Sequence, residues 1–186
     1  RVNEIRTLMS LLRSSPVPIL VTGAGSGKSS IVREIVRQQN KPYAWVDCVI
    51  LDSTREEAFL ENVYHQIYSQ VKTTHDTKHN EQHLPSNLSA AVWIFGCALK
   101  RILDNQSVIL VLDHAERLNT MLPQLWLLPQ TSLGLRLSIV VISRNVLLPY
   151  TPCGTRSSIE TTVEPIRVHF GAYRGKQTLK DVRSLH

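Results

Sequence analysis

The sequence has little cysteine and no long hydrophobic run, and these two absences exclude several classes of protein. Its 186 residues include three cysteines, Cys48, Cys97 and Cys153, which are odd in number and far apart. They form neither a disulfide framework nor a Cys-x-x-Cys metal pair, so we expect three largely buried thiols in a reducing compartment. No apolar run approaches the roughly 18 residues that a membrane-spanning helix needs.

Aromatic residues are also scarce, at 6% of the chain, and no tryptophan alternates with basic residues as in a surface on which bases stack. The formal net charge of +6 permits contact with nucleic acid without requiring it. The hydrophobic content of 42% and the charged content of 19% are those of an ordinary globular domain. The chain starts at Arg1 with neither a methionine nor an apolar leader, so we expect it to be an excerpt of a longer protein.

Hydrophobic patterns predict helices that alternate with strands. Apolar residues at helical spacing indicate helices, and short runs that are apolar at successive positions indicate buried strands. Such alternation is typical of an α/β fold, here a five-stranded parallel sheet with helices on both faces. The polar stretch 72–86 is predicted to be a loop. The predicted helices cover residues 4–12, 28–39, 54–71 and 88–103, and the predicted strands cover 19–21, 43–46, 108–112, 137–142 and 166–170.

The clearest chemical signal is the Gly/Ser-rich segment between the first strand and the second helix. It follows the P-loop pattern Gly-x-x-x-x-Gly-Lys-Ser, except that Thr22 stands at the first glycine. Glycines let backbone N–H groups approach phosphate oxygens, and the helix N-terminus adds partial positive charge. We expect Lys28 to reach the β- and γ-phosphates of ATP and Ser29 to ligate Mg²⁺. The predicted phosphate-binding residues are Gly23, Ala24, Gly25, Ser26, Gly27, Lys28, Ser29 and Ser30.

Thr22 leaves an alternative open. If the backbone at this position took a positive φ, a β-branched residue there would cost about 1–3 kcal/mol. Gly23 and Gly25 offer the loop another way to close. The alternative to an ATP site is therefore a degenerate scaffold that binds no nucleotide.

A carboxylate that would complete the metal site follows the third predicted strand. Asp113 stands where P-loop proteins hold the water shell of the metal. ATPases of the AAA+ kind usually carry a glutamate directly after this aspartate, where it polarises the attacking water. Here His114 occupies that position, and the next acid is Glu116. Because a positioned general base contributes roughly 10²–10⁴-fold in rate, we expect a site that holds ATP and hydrolyses it slowly.

Two further questions stay open at this site. If Glu116 or His114 served as the base, the protein would be an active ATPase, for instance an initiator or a clamp-loader-like motor. A polar residue after the fourth strand would sense the γ-phosphate, and Ser143 and Asn145 are both candidates. The sequence does not choose between them.

Three segments resemble the fifth-subunit family of the eukaryotic origin recognition complex, in the initiator branch of the AAA+ proteins. The segment 47–49 is similar to an Asn-Cys-Val in that family, and 111–118 is similar to its Leu-Asp-Lys-Ala-Glu run. The third segment is Ile142–Ser143, and the amphipathic opening helix also fits the initiator branch. The resemblance covers nearly the whole chain and is thinnest at 72–86.

The resemblance implies a nuclear subunit of a ring-like hetero-oligomer that encircles double-stranded DNA at replication origins and helps to load the replicative helicase. It implies that residues 1–174 form an AAA+ base domain for ATP and Mg²⁺, that 175–186 begin a lid, and that the rest of the lid and a C-terminal domain lie outside this sequence. It also implies ATP binding without hydrolysis, with which His114 agrees. The family supplies an arginine to the neighbouring subunit's ATP site; that position aligns with Thr151, and Arg156 is the nearby candidate.

Overall fold

The computed structural model describes residues 2–15, 18–23, 25–49, 56–71, 97, 106–117, 137–144 and 166–171. Except at Cys97, the predicted helix 88–103 lies outside the described residues, as do the loop 72–86 and the lid residues 175–186. The predicted helix 54–71 ends earlier than expected, at Tyr68. The elements are α1 (Val2–Ser14), β1 (Ile19–Thr22), α2 (Lys28–Gln38), β2 (Tyr43–Asp47), α3 (Glu56–Tyr68), β3 (Val108–Asp113), a short 3₁₀ helix (Ala115–Arg117), β4 (Leu137–Ile142) and β5 (Ile166–His169).

All five predicted strands are present, and they form one sheet in the order β2-β3-β4-β1-β5. Every neighbouring pair is parallel, so the carboxyl ends of the strands meet at the same edge. Because β4 lies between β3 and β1, the residues that follow these three strands come together. The order of the strands therefore gathers the predicted site from segments that are far apart in the sequence.

Helices pack on both faces of the sheet, as the hydrophobic patterns predict. Successive side chains of a strand point to opposite faces, and every residue of β3 is buried. On one face Leu110 belongs to a cluster with Phe59 and Val63 of α3. On the other face Val111 belongs to a cluster with Ile35 of α2 and with the apolar stripe of α1. The fold is therefore the predicted α/β fold.

Two glutamines cover the outer edge of the sheet, Gln66 in α3 and Gln70 just after the end of α3. The backbone N–H of Trp45 donates to Oε1 of Gln66 at 2.9 Å, and Nε2 of Gln66 donates to the carbonyl of Trp45 at 3.2 Å. Gln70 forms the same reciprocal pair with Tyr43, at 3.1 and 2.6 Å. These amides occupy backbone groups of the edge strand β2 that would otherwise be open to another chain.

The cysteines only partly follow the expectation of three buried thiols. Cys48, after β2, is buried, but Cys97 is only half-buried, and Cys153 lies outside the described residues. No helix within the described ranges is long and apolar enough to span a bilayer.

Candidate functional site

The loop after β1 starts with a glycine that its surroundings require. Gly23 has φ 129°, and a Cβ atom at this position would collide with the backbone carbonyl oxygen of Phe170, which follows β5. Gly25 and Gly27 have φ 60° and 66°, and a Cβ atom on either would meet open space. The loop therefore contains three glycines with positive φ, and turns of this kind can form anion-binding concavities from successive backbone N–H groups. Ala24 lies outside the described residues.

Thr22 is the last residue of β1 and its φ is not positive, so the conformational penalty considered for this position does not arise. Among the described residues, only Asn40 and His114 take a positive φ without being glycine. The carbonyl of Thr22 accepts a hydrogen bond from the N–H of Phe170 at 2.9 Å, and its hydroxyl lies 3.0 Å from Nδ1 of His169. Gly23 takes the strained conformation instead, so Thr22 gives no support to the degenerate scaffold.

The N-terminus of α2 faces this loop. The helix begins at Lys28, and no side chain caps it at Gly27, which leaves backbone N–H groups of the first turn for a ligand. Nζ of Lys28 donates to the carbonyl of Gly23 at 2.9 Å, and the hydroxyl of Ser26 donates to the same carbonyl at 3.2 Å. The lysine is thus held across the loop, from where its ammonium group can reach an anion seated there.

The hydroxyl of Ser29 donates to Oδ1 of Asp113 at 3.0 Å. Asp113 is 5% exposed, and the same oxygen accepts the backbone N–H of His114 at 3.1 Å. Hydroxyl, carboxylate and water oxygens are the ligands that Mg²⁺ prefers. The structure therefore joins the two residues that the sequence proposes for magnesium, and the pair has the chemistry to hold a hydrated ion.

His114 and Glu116, the two residues considered as a base, have different surroundings. His114 has φ 56°, and its Nδ1 lies 3.2 Å from Oδ1 of Asp47 at the end of β2. Glu116 accepts a hydrogen bond from the hydroxyl of Ser143 at 3.1 Å. The sequence does not reveal that Asp47 belongs to this arrangement, because only the pairing of β2 with β3 brings it beside His114.

A cleft of about 350 Å³ lies over the loop and the start of α2. Within the described part of the chain, its lining includes two basic side chains, Lys28 and Arg144, and no carboxylate. Arg144 could not be identified from the sequence as a residue of the site, since a single arginine after a strand matches no motif. Asn145 and Arg156 lie outside the described residues. The residues that line the cleft are Gly25, Ser26, Gly27, Lys28, Ser29, Ser30, His114 and Arg144.

The thiol of Cys48 lies near this site but is not suited to chemistry there. Burial, and then the negative charges of Asp47, Asp113 and Glu116, raise the pKa of Cys48 to about 12. Its backbone N–H donates to the carbonyl of Asp113 at 2.9 Å, which ties the ends of β2 and β3 together. Because the thiol stays protonated at neutral pH, Cys48 acts as a small buried side chain and not as a nucleophile.

No protein-family model matches the sequence, and no curated protein matches it. Solved structures do. The Walker-type ATPase of Pyrococcus abyssi has a TM-score of 0.62 at 17% identity, over 98% of this chain and 56% of that one. Drosophila ORC bound to DNA has a TM-score of 0.59 at 19% identity, over 91% of this chain and 42% of that one. The Aeropyrum pernix ORC1 protein in complex with DNA has a TM-score of 0.52 at 16% identity, over 98% of this chain and 48% of that one.

The chain thus spans about half the length of the solved proteins that it matches. Identities this low show the fold alone. The chain shares with these proteins an α/β fold, here with a five-stranded parallel sheet.

Proposed function

We propose that this chain is the ATP-binding base domain of an origin recognition complex subunit, and that it holds ATP without efficient hydrolysis. The observation that carries the proposal is the 3.0 Å hydrogen bond from Ser29 to Asp113. It lies at the base of the Lys28 loop and beside His114, which stands where a catalytic glutamate is expected.

The residues present fit ATP and magnesium. The left-handed loop and the uncapped start of α2 offer backbone N–H groups to phosphate oxygens, and Lys28 adds a full positive charge. Ser29 would bind the magnesium ion directly, and Asp113 would hold it through water. When bound, the ion would neutralise negative charge on the phosphates. Gly23, Ala24, Gly25, Ser26, Gly27 and Ser30 complete the proposed phosphate site.

Slow hydrolysis is expected from the side chains that line the cleft, where the attacking water would lie. Among the described residues, no carboxylate lines the cleft where it could orient that water. Glu116 does not line the cleft, and its carboxylate accepts a hydrogen bond from the hydroxyl of Ser143. A site without a positioned base loses roughly 10²–10⁴-fold in rate, so bound ATP persists. Persistent ATP suits a structural role, in which the nucleotide stabilises the contact between neighbouring subunits.

The proposed partners are the other subunits of the complex, and double-stranded DNA reached through the complex, in the nucleus. Two observations support them: the resemblance of segments 47–49 and 111–118, and the likeness of the fold to Drosophila ORC bound to DNA and to Aeropyrum pernix ORC1 in complex with DNA. Arg156 stays the proposed arginine for the neighbouring ATP site. The rest of the lid and the C-terminal domain belong to the same proposal.

The test uses the full-length protein together with its neighbouring subunits. The complex is loaded with labelled ATP and Mg²⁺, freed of unbound nucleotide, incubated, and analysed for the nucleotide that remains. Intact ATP is expected in the natural protein, and none in Lys28→Ala, which should also incorporate poorly into the complex. Bound ADP would contradict slow hydrolysis, and an empty site would contradict ATP binding.

One observation favours an active ATPase as the second candidate. His114 lines the cleft, and Asp47 lies 3.2 Å from its Nδ1, so the imidazole is held by a carboxylate as a general base often is. If the complex produces ADP steadily and His114→Ala abolishes this production while Glu116→Gln does not, the second candidate is correct.

A further inference from the structure

Thr22 and His169 lie side by side where β1 and β5 end. The two strands are parallel, and Thr22 is opposite His169 in their register. The hydroxyl of Thr22 lies 3.0 Å from Nδ1 of His169, and the N–H of Phe170 donates to the carbonyl of Thr22 at 2.9 Å. Among the described strands, β5 pairs only with β1. The side-chain pair therefore supports the end of this single ladder, where a strand frays most easily.

The same end of β5 meets the phosphate loop. Gly23 follows Thr22 directly, and a Cβ atom on Gly23 would collide with the carbonyl oxygen of Phe170, so the two backbones approach each other closely. The carbonyl of Gly23 in turn accepts a hydrogen bond from Nζ of Lys28 at 2.9 Å. A chain of contacts thus runs from His169 through Thr22 and Gly23 to the lysine of the loop.

A loop that is held in place before its ligand arrives binds more tightly, because less conformational freedom is lost on binding. We propose that His169 is a positioning residue, whose bond to Thr22 fixes the end of β5 against the phosphate loop and keeps the loop in its binding conformation. His169 touches no nucleotide and acts only through Thr22. This inference rests on the proposed ATP site. It gives the threonine at the first glycine of the motif a role that glycine, which has no hydroxyl, could not fill.

Loss of the pair should weaken both nucleotides alike. If the loop is in its binding conformation for only a fraction of the time, the apparent affinity falls by that fraction. One neutral hydrogen bond corresponds to a factor of about 3 to 10, so His169→Ala and Thr22→Val should each raise the dissociation constants of Mg-ATP and Mg-ADP by about this factor. Valine keeps the shape and the strand preference of threonine, so Thr22→Val removes the hydroxyl and leaves β1 intact.

Calorimetry on the full-length protein measures these constants in a double-mutant cycle. The double variant should bind no more weakly than either single variant, because both changes remove the same contact. His169→Asn keeps a hydrogen-bonding group near the position of Nδ1 and should recover most of the affinity. Arg167→Ala is the matched control, because Arg167 is exposed in the same strand and lies opposite Leu20, which has no hydroxyl. It should change either constant by less than about twofold.

Hydrogen exchange provides a second readout, because coupling between two sites is reciprocal. Mg-ADP in the loop should slow exchange at the N–H of Phe170, which donates to Thr22, by more than at the N–H of Trp45 in the opposite edge strand. In the protein without nucleotide, His169→Ala should speed exchange at Phe170. A pair that stabilises β5 without acting on the loop would leave the exchange at Phe170 no more sensitive to nucleotide than that at Trp45.

Equal losses for both nucleotides in His169→Ala and Thr22→Val, with no further loss in the double variant, would establish the proposal. If both single variants bind like the natural protein while Lys28→Ala binds neither nucleotide, the inference is overturned and the ATP site stands. Losses that multiply in the double variant also overturn it, because the two residues would then act separately. If the natural protein binds neither nucleotide, the proposed function fails and this inference fails with it. Circular dichroism confirms that each variant is folded, and Thr22→Val with His169→Asn serves if His169→Ala is not.

Discussion

Gln66 forms a reciprocal pair of hydrogen bonds with the backbone of Trp45, at 2.9 and 3.2 Å, in the way that a neighbouring β-strand would. Gln70 lies just after the end of α3, where the N–H of Val71 still donates to the carbonyl of Ile67 as in a helix, and it repeats the arrangement at Tyr43, two residues back in β2. Residues four apart on a helix share a face, and residues two apart on a strand share a side. Among the described residues β2 is the edge strand, and the two amides bond to backbone groups to which a further strand would bond.

The first prediction concerns this edge. Gln66→Ala with Gln70→Ala removes the four hydrogen bonds to β2. It should lower the free energy of unfolding by about 1–3 kcal/mol, because part of each bond is replaced by water. It should also promote association through the exposed edge of β2. Urea unfolding and sedimentation measure the two effects, with Glu61→Ala as the control at an exposed position of α3. Unchanged stability and unchanged association would mean that the two amides neither stabilise the fold nor protect the edge of β2.

The second prediction separates two costs in the phosphate loop. Gly23→Ala combines a strained φ with a collision against the carbonyl oxygen of Phe170, whereas Gly25→Ala meets open space and suffers the strain alone. We expect Gly25→Ala to lower the free energy of unfolding by about 1–2 kcal/mol and Gly23→Ala to lower it by at least about 3 kcal/mol. Thermal unfolding of the two variants makes the comparison. Equal losses would show that the loop moves away from Phe170 at little cost.

The sequence predicts much of the fold because its signals are local. The run 108–112 is apolar at every position, as a strand covered on both faces must be, and the loop from Gly23 to Ser29 carries its own motif. The order of the strands depends on packing between distant segments, and no local pattern encodes it. The contact between Ser29 and Asp113 could therefore be expected only through the motif, and the position of Arg144 could not be expected at all.

His114 shows a second limit of the sequence. Its identity indicated the loss of the usual glutamate, but neither its left-handed backbone nor its contact with Asp47 was apparent. The contact exists because β2 and β3 pair in register, with Asp47 opposite Asp113. Residue identity thus predicted a missing function, while the partner that holds the imidazole came from the tertiary structure.

The third prediction concerns Thr22, which the sequence pattern treats as a substituted loop glycine. Since Thr22 lies in β1 and its hydroxyl is 3.0 Å from Nδ1 of His169, Thr22→Gly should not raise the affinity for ATP. It should instead lower the free energy of unfolding by about 1–2 kcal/mol, through backbone entropy and the lost hydrogen bond. Thr22→Ser keeps the hydroxyl and should lose less. A gain of about tenfold in ATP affinity for Thr22→Gly would restore the view that the threonine impairs the loop.

The last prediction follows from the pKa of the Cys48 thiol, which burial and the three nearby carboxylates raise to about 12. In the unfolded chain the thiol has a pKa of about 8.5, so above that pH the unfolded state loses a proton that the folded state keeps. The contribution of Cys48 to stability is therefore fully present below about pH 8.5 and is lost as the pH rises towards about 12. Near neutral pH the folded protein should also resist thiol reagents at this residue.

The test compares a protein in which Cys48 is the only cysteine, with Cys97→Ser and Cys153→Ser, against the same protein with Cys48→Ala. Urea unfolding from about pH 8 to about pH 10.5 should show a steeper fall in the free energy of unfolding for the protein that keeps Cys48. Tyrosines and lysines titrate in the same range, but they are common to both proteins and cancel in the difference. Parallel profiles, together with rapid labelling of Cys48 in the folded state, would mean that the thiol is open to water and that the carboxylates of Asp47, Asp113 and Glu116 do not act on it.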